Sequence, residues 1–258
     1  MGELKGIAMR AAEATRQLSI ACAFAALVCI ATMGFSIYIP STRGYFNLGE
    51  TMVYASALLF GPFVGALAGG VGSMLADLLL GYYHYAPATL LIKALEGLVV
   101  GLLGRRIGAL AKSADGRRWR PLAAAIGILL GALIGLIGPL YYSGHAELYS
   151  GIASAQSPIS AILIPPEFWL GLGGLASLSM IAIALAREPG LGLEIAPCLA
   201  GGSLMVLGYF LYEQFFLGVL ALAEVPINVG QMAIGAMAAA PIARAIRRAL
   251  PRLGWGRP

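Results

Sequence analysis

Six ionisable side chains, Glu50, Asp77, Lys93, Glu96, Glu213 and Glu224, stand inside or at the ends of long apolar runs. Asn47, Thr51, Asn228 and Gln231 add amide and hydroxyl groups to the same runs. Such groups are ordinary beside water. Surrounded by hydrocarbon each is costly, which marks it as a candidate for a binding site or a relay. Lys93 has the charge to meet a ligand carboxylate or phosphate, but it also lies one helical turn from Glu96, where the two can pair. Asn228 and Gln231 offer paired donors and acceptors able to orient a heterocycle. Tyr45, Tyr54 and Tyr209 offer flat faces for stacking. Asp77 with Glu213 makes a pair of acids open to acid–base work. His84 stands among Tyr82, Tyr83 and Tyr85, an aromatic group of the kind found at a membrane–water interface. No second histidine or cysteine keeps metal-ligand spacing with it, so neither a metal nor another cofactor is expected.

The elements that must position these groups are helices in a membrane. Of 258 residues, 59% are hydrophobic and 11% charged, and the mean hydropathy is +0.84. Soluble domains carry about 25% charged residues, so a water-soluble class is excluded. Apolar runs near the ~20 residues needed to cross ~30 Å of hydrocarbon recur throughout, and no polar stretch is long enough for a separate domain. Residues 1–258 read as a single transmembrane domain. Cys22, Cys29 and Cys198 all fall in apolar runs, as small buried residues without disulfide or metal spacing. The net charge of +5 resides mainly in loops and tails. It speaks to orientation in the bilayer, not to nucleic acid.

Residues 1–16 form a short amphipathic lead. The run 18–40 follows, longer than the roughly 7–15 residues of a signal-peptide core, and is expected to remain as the first span. The block 47–81 is either one long helix or a hairpin turning at Gly61-Pro62, where proline suits a helix start. Further spans are expected at 87–103, 121–142, 165–186, 195–222 and 227–243, with a long connection over 143–164. The positive-inside rule decides the ambiguity. With the hairpin there are eight spans and both termini are cytoplasmic. Of the 17 lysines and arginines, only Arg43 then lies outside and Lys93 within the membrane. Without it, six basic residues between Arg105 and Arg120 would face outward.

This topology puts the polar side chains in the outer half of the membrane. Asp77 lies about 6 Å deep and Lys93 and Glu96 about 9 and 14 Å, at 1.5 Å per residue. One outward-opening pocket is expected, not a channel. Small residues at four-residue spacing, Gly61, Gly65, Gly69 and Ser73, then Gly127, Gly131 and Gly135, provide close helix packing.

The run GYFNLGETMVYASALLFGPFVGALAGGVGSMLADLLLGYYHYAPATLLIKALEG resembles the substrate-binding S component of energy-coupling factor (ECF) transporters, within the riboflavin-type group. The run GYFLYEQFFLGVLALAEVPINVGQMAIGAM is similar to that family's last two helices. The resemblance covers roughly 17–106 and 200–249. It implies an all-α bundle of six helices, here with a two-helix insertion over 119–190. It also implies capture of a vitamin- or cofactor-precursor-like molecule from outside, by a subunit working with a transmembrane coupling protein and two ATPase subunits. The family's A-x-x-x-A docking spacing is matched by Ala21 and Ala25, with Cys22 and Ala26 as the other register. The substrate-closing loop after the first helix corresponds to residues 43–47. The chain has no G-x-x-x-x-G-K-[ST] phosphate loop, so energy for transport must come from a partner or an ion gradient.

The expected substrate-binding set is Tyr45, Asn47, Glu50, Thr51, Tyr54, Asp77, His84, Lys93, Glu96, Tyr209, Glu213, Glu224, Asn228 and Gln231. Two other classes are open to the same residues: an independent ion-coupled carrier, which would transport alone in ATP-depleted vesicles, and an intramembrane enzyme built on Asp77 and Glu213, which would turn over a lipid or peptide.

Overall fold

A computed structural model of the chain describes residues 2–39, 44–110, 119–141, 143–148, 160–185 and 190–250. In order the elements are α1 (Gly2–Gly34), β1 (Ser36–Ile39), β2 (Gly44–Asn47), α2 (Gly49–Phe60), α3 (Pro62–Leu80) and α4 (Ala86–Leu110). They continue with α5 (Trp119–Tyr141), β3 (Gly144–Leu148), β4 (Ser160–Ile164), α6 (Pro166–Leu185), α7 (Gly190–Leu217) and α8 (Val225–Ala249), with a 3₁₀ turn at Gly218–Ala223 before α8. Among the described residues, five helices are long and apolar enough to cross a membrane: α1, α3, α4, α7 and α8. The protein is an all-helical membrane protein. Of the charges used to orient the chain, Arg43, Lys112, Arg117, Arg118, Arg187, Arg252 and Arg257 lie outside the described residues.

The block 47–81 is a hairpin. Gly61, at φ +89°, closes α2 and precedes Pro62, the first residue of α3. A left-handed φ suits glycine, and the missing proline N–H costs nothing in a first turn. The arms pair symmetrically about this turn: a Cβ on Gly65 would meet Cβ of Ala57, and one on Gly69 would meet Cγ1 of Val53. The first arm is shorter than a span. Its 12 residues measure about 18 Å, yet all but Met52 and Phe60 are buried. Helices α1, α3, α4 and α8 pack around it, so α2 is the axis of the bundle.

Basic side chains complete the turn. Arg105 donates to the Phe60 carbonyl at 3.2 Å, and Arg247 donates to the Leu58 carbonyl. Arg247 also pairs with Glu194 at 2.8 Å, with Arg244 at 3.7 Å from the same carboxylate. Cationic donors thus satisfy carbonyls that a helix C-terminus leaves open. Arg247→Ala is expected to cost about 1.5–3 kcal/mol, the value of hydrogen bonds to charged groups, read as a lower melting temperature in detergent. Arg247→Lys should recover only part of it, since a point ammonium cannot bridge both partners.

Two expectations are corrected, and the docking spacing on the first helix gains a structural setting. The first span ends at Gly34, not at residue 40, because residues 36–39 pair as a strand with 44–47. The connection over 143–164 is not plain loop: β3 and β4 pair with each other, and β3 joins β1 through Ile37 and Leu148, giving sheet order β2-β1-β3-β4. Finally, Ala21 and Ala25 are buried, and Gly72 of α3 packs on the Ala25 carbonyl. Helix α1 turns Cys22 and Ala26 outward instead.

Helices α5 and α6 pack chiefly on each other. Ile134 and Trp169 set this pair against Ala233 and Met237 of α8.

Candidate functional site

At the end of the bundle away from Arg105 and Arg247, a cavity of about 420 Å³, counted with its open mouth, lies beneath β2.

Helix α3 delivers Asp77 and the turn after it delivers two tyrosines. Gly81, at φ +87°, ends the helix in a left-handed cap. The Tyr82 N–H then donates back to the Asp77 carbonyl at 2.8 Å, the reversal that glycine permits at a helix end. Tyr82 and Tyr85 are thereby folded over the cavity. From β2, the Tyr45 hydroxyl donates to Asp77 Oδ1 at 2.6 Å. Burial and the Asp77 charge push the Tyr45 phenol well above its ordinary pKa, so it stays a neutral donor. Tyr85 donates to Glu213 Oε1 at 3.2 Å. Its phenol is pushed up by burial and then by the neighbouring Glu213 and Glu224 carboxylates.

The amide wall comes from β2 and α8. Gln231 Oε1 accepts from Asn47 Nδ2 at 2.7 Å and from the Asn47 N–H at 2.8 Å. Gln231 Nε2 donates to Asn228 Oδ1 at 3.0 Å, while Asn47 Oδ1 accepts from the Gly49 N–H at 2.8 Å, where α2 begins. One network therefore ties the strand after α1 to the start of α2 and to the last helix.

Lys93 closes the floor. It pairs directly with Glu50 and lies 3.1 Å from Glu96 Oε2. Tyr54 donates to Glu96 Oε1 at 2.7 Å, and the ammonium stands 5.6 Å from the Tyr209 ring centroid. The Tyr209 hydroxyl donates to Thr89 at 3.0 Å.

Tyr45, Asn47, Asp77, Lys93, Tyr209, Glu213, Glu224, Asn228 and Gln231 thus all reach the cavity wall. Glu50, Tyr54 and Glu96 stand behind it, around Lys93. Thr51 is buried in α2 without lining the cavity. His84 does not belong to the wall: it is exposed, its ring packing on Tyr85 and Phe216. Its carbonyl accepts from Tyr212. The expected binding set lacks Tyr82, Tyr85 and Thr89, the two tyrosines reading equally well as interface aromatics. A signal for two of them was present, since residues 85, 89 and 93 recur at the four-residue spacing that shares a helix face.

The family model for the S component of ECF-type riboflavin transporters matches residues 13–165, more than half the chain. The match runs through α5, β3 and β4 and stops before α6. A Pyrococcus woesei protein described as "Uncharacterized protein in gap 3'region" is 39% identical over 140 residues, 51% of this chain and 86% of that protein. The reading of Asp77 and Glu213 as an enzyme's acid pair falls, because members of this family bind and do not catalyse. The chain belongs to the S-component family of ECF-type transporters and is a substrate-binding membrane subunit.

Proposed function

We propose that this subunit captures a vitamin- or cofactor-precursor-like molecule from outside the cell in the cavity beneath β2. In this reading it then passes the molecule inward with a transmembrane coupling protein and two ATPase subunits. The arginine-bearing end of the bundle is cytoplasmic by the positive-inside rule, which turns the cavity outward. The observation that carries the reading is the convergence of polar side chains from β2, α3, α4, α7 and α8 on one cavity. Buried polar groups with no common site would be scattered or paired locally.

Helices α1–α4, α7 and α8 form the six-helix core in this reading, and α5 with α6 is an added pair seated on α8. The coupling protein docks on the outward register of α1 that carries Cys22 and Ala26.

Asn228 supplies the test. Asn228→Ala removes an amide from the wall without touching the Lys93 floor. The molecule that co-purifies with the protein, identified by mass spectrometry, should be retained by the native chain and lost from this variant. Binding should weaken roughly tenfold or more, about 1.4 kcal/mol or above, in protein that still melts cooperatively, at a temperature lowered by the loss of the Gln231 partner. Full retention by Asn228→Ala would remove the cavity as the capture site.

A further inference from the structure

We infer that the α8 side of the cavity is an edge of hydrogen-bond donors, and that the captured molecule is a planar heterocycle turned to present adjacent acceptors to Asn228. Those acceptors are carbonyl oxygens or unprotonated ring nitrogens. This rests on the cavity being the capture site. Asn47, Gln231 and Asn228 each carry both an acceptor and a donor, and the two ends of an amide are told apart by what they meet. Here two backbone N–H groups, which can only donate, fix the direction of the whole chain of amides.

The Asn47 N–H lies 2.8 Å from one end of the Gln231 amide, which must therefore be its oxygen, Oε1. The other end of Gln231 is then the nitrogen. It lies 3.0 Å from Asn228, whose facing atom must be the oxygen, Oδ1. The remaining end of Asn228 is Nδ2. At the start of the chain the Gly49 N–H, the first of α2, lies 2.8 Å from Asn47 and holds Oδ1 there. Asn47 Nδ2 consequently turns to Gln231. Reversing any one of the three amides would set donor against donor.

All three carbonyl oxygens are thus engaged inside the wall, by donors from Gly49, Asn47 and Gln231. What remains is N–H: both hydrogens of Asn228 Nδ2 and one each on Gln231 and Asn47. Asn228 is only 6% exposed. Its Nδ2 meets no acceptor among the described residues, yet it is not enclosed by protein; the space it opens on is the cavity it lines. Tyr45, Tyr82, Tyr85 and Tyr209 share that cavity, and their flat faces suit a ring. A ligand N–H set against this edge would leave donors unpaired on both sides. Sites built around a hydrogen bond reject a molecule that cannot complete it. An edge of acceptors completes it without any amide changing its partner.

The test uses the purified full chain in lipid nanodiscs and isothermal calorimetry, with two neutral bicyclic probes. Phthalazine presents two adjacent ring nitrogens that only accept. Indazole, of nearly the same shape, presents one acceptor beside an N–H. The native chain is expected to bind phthalazine more tightly by roughly tenfold or more, a comparison that needs no variant. Asn228→Asp keeps the oxygen that Gln231 meets but leaves at most one donor in place of two, so it should abolish the preference by weakening phthalazine alone. Indazole bound as tightly as phthalazine by the native chain overturns the donor edge; if that binding is lost in Asn228→Ala, capture in this cavity stands, and if it survives, capture there falls as well. No phthalazine binding up to millimolar concentration also overturns the donor edge, and the co-purifying molecule then decides the cavity. Phthalazine bound at native strength by both Asn228→Asp and Asn228→Ala overturns both.

Discussion

Lys93→Met should lower stability by about 3–5 kcal/mol, the usual cost of removing one partner of a buried ion pair. It leaves Glu50 and Glu96, at 2% and 0% exposure, facing each other's charge with only the Tyr54 hydroxyl to help. Methionine keeps the length and apolar volume of the lysine stem, so packing alone predicts a small effect. Glu50→Gln should cost far less, because Lys93 and Glu96 remain as a neutral pair. The triple variant Lys93→Met, Glu50→Gln, Glu96→Gln should regain most of the loss, since no buried charge is left. Melting in detergent measures all three. If Lys93→Met and Glu50→Gln fall equally, the group acts through shape and not through charge.

Gly97→Ala is expected to be the second severe change. Helices α3 and α4 cross with Gly65 against Gly97: a Cβ on Gly97 would run into the Gly65 carbonyl, and a Cβ on Gly65 would lie 2.7 Å from the Gly97 carbonyl oxygen. The obstacle is backbone on both sides, so no side chain can swing away and the helices must separate. Overpacking of this kind costs about 1–3 kcal/mol or more, and Gly97→Leu should prevent folding. Gly171→Ala in α6 is the contrast. Nothing lies within 4 Å of a Cβ there, and alanine should gain up to about 1 kcal/mol through helix propensity. Thermal unfolding of the pair, side by side, separates close approach from a general intolerance of alanine for glycine. Similar losses in both would remove the crossing as the cause.

The residues that line the cavity were legible because hydrocarbon makes polar groups conspicuous. Asp77, Lys93, Glu213 and Asn228 stand out by type alone in apolar runs, and the Lys93–Glu96 spacing already announces a pair. Tyr82 and Tyr85 were hidden for the opposite reason. Tyrosines gather at membrane interfaces whatever their role, so residue type does not separate those over the cavity from the exposed Tyr83. The second partner of Lys93 was not readable either, since Glu50 lies on another helix and no spacing rule joins them.

Composition and charge placement by themselves determined a helical membrane protein, because ~30 Å of hydrocarbon admits few backbone solutions and lysine and arginine favour one side. They also determined the turn at Gly61-Pro62, which backbone chemistry dictates locally. Only the tertiary structure decided that α2 is the enclosed axis, that Ala21 and Ala25 face inward while Cys22 and Ala26 face outward, and that β1 pairs with a strand more than a hundred positions away. A four-residue repeat defines a helix stripe but not the neighbour it meets, and in lipid both faces of a helix are apolar. Which face packs is settled by shape and by pairing of buried polar groups between helices, and neither is a property of one segment alone.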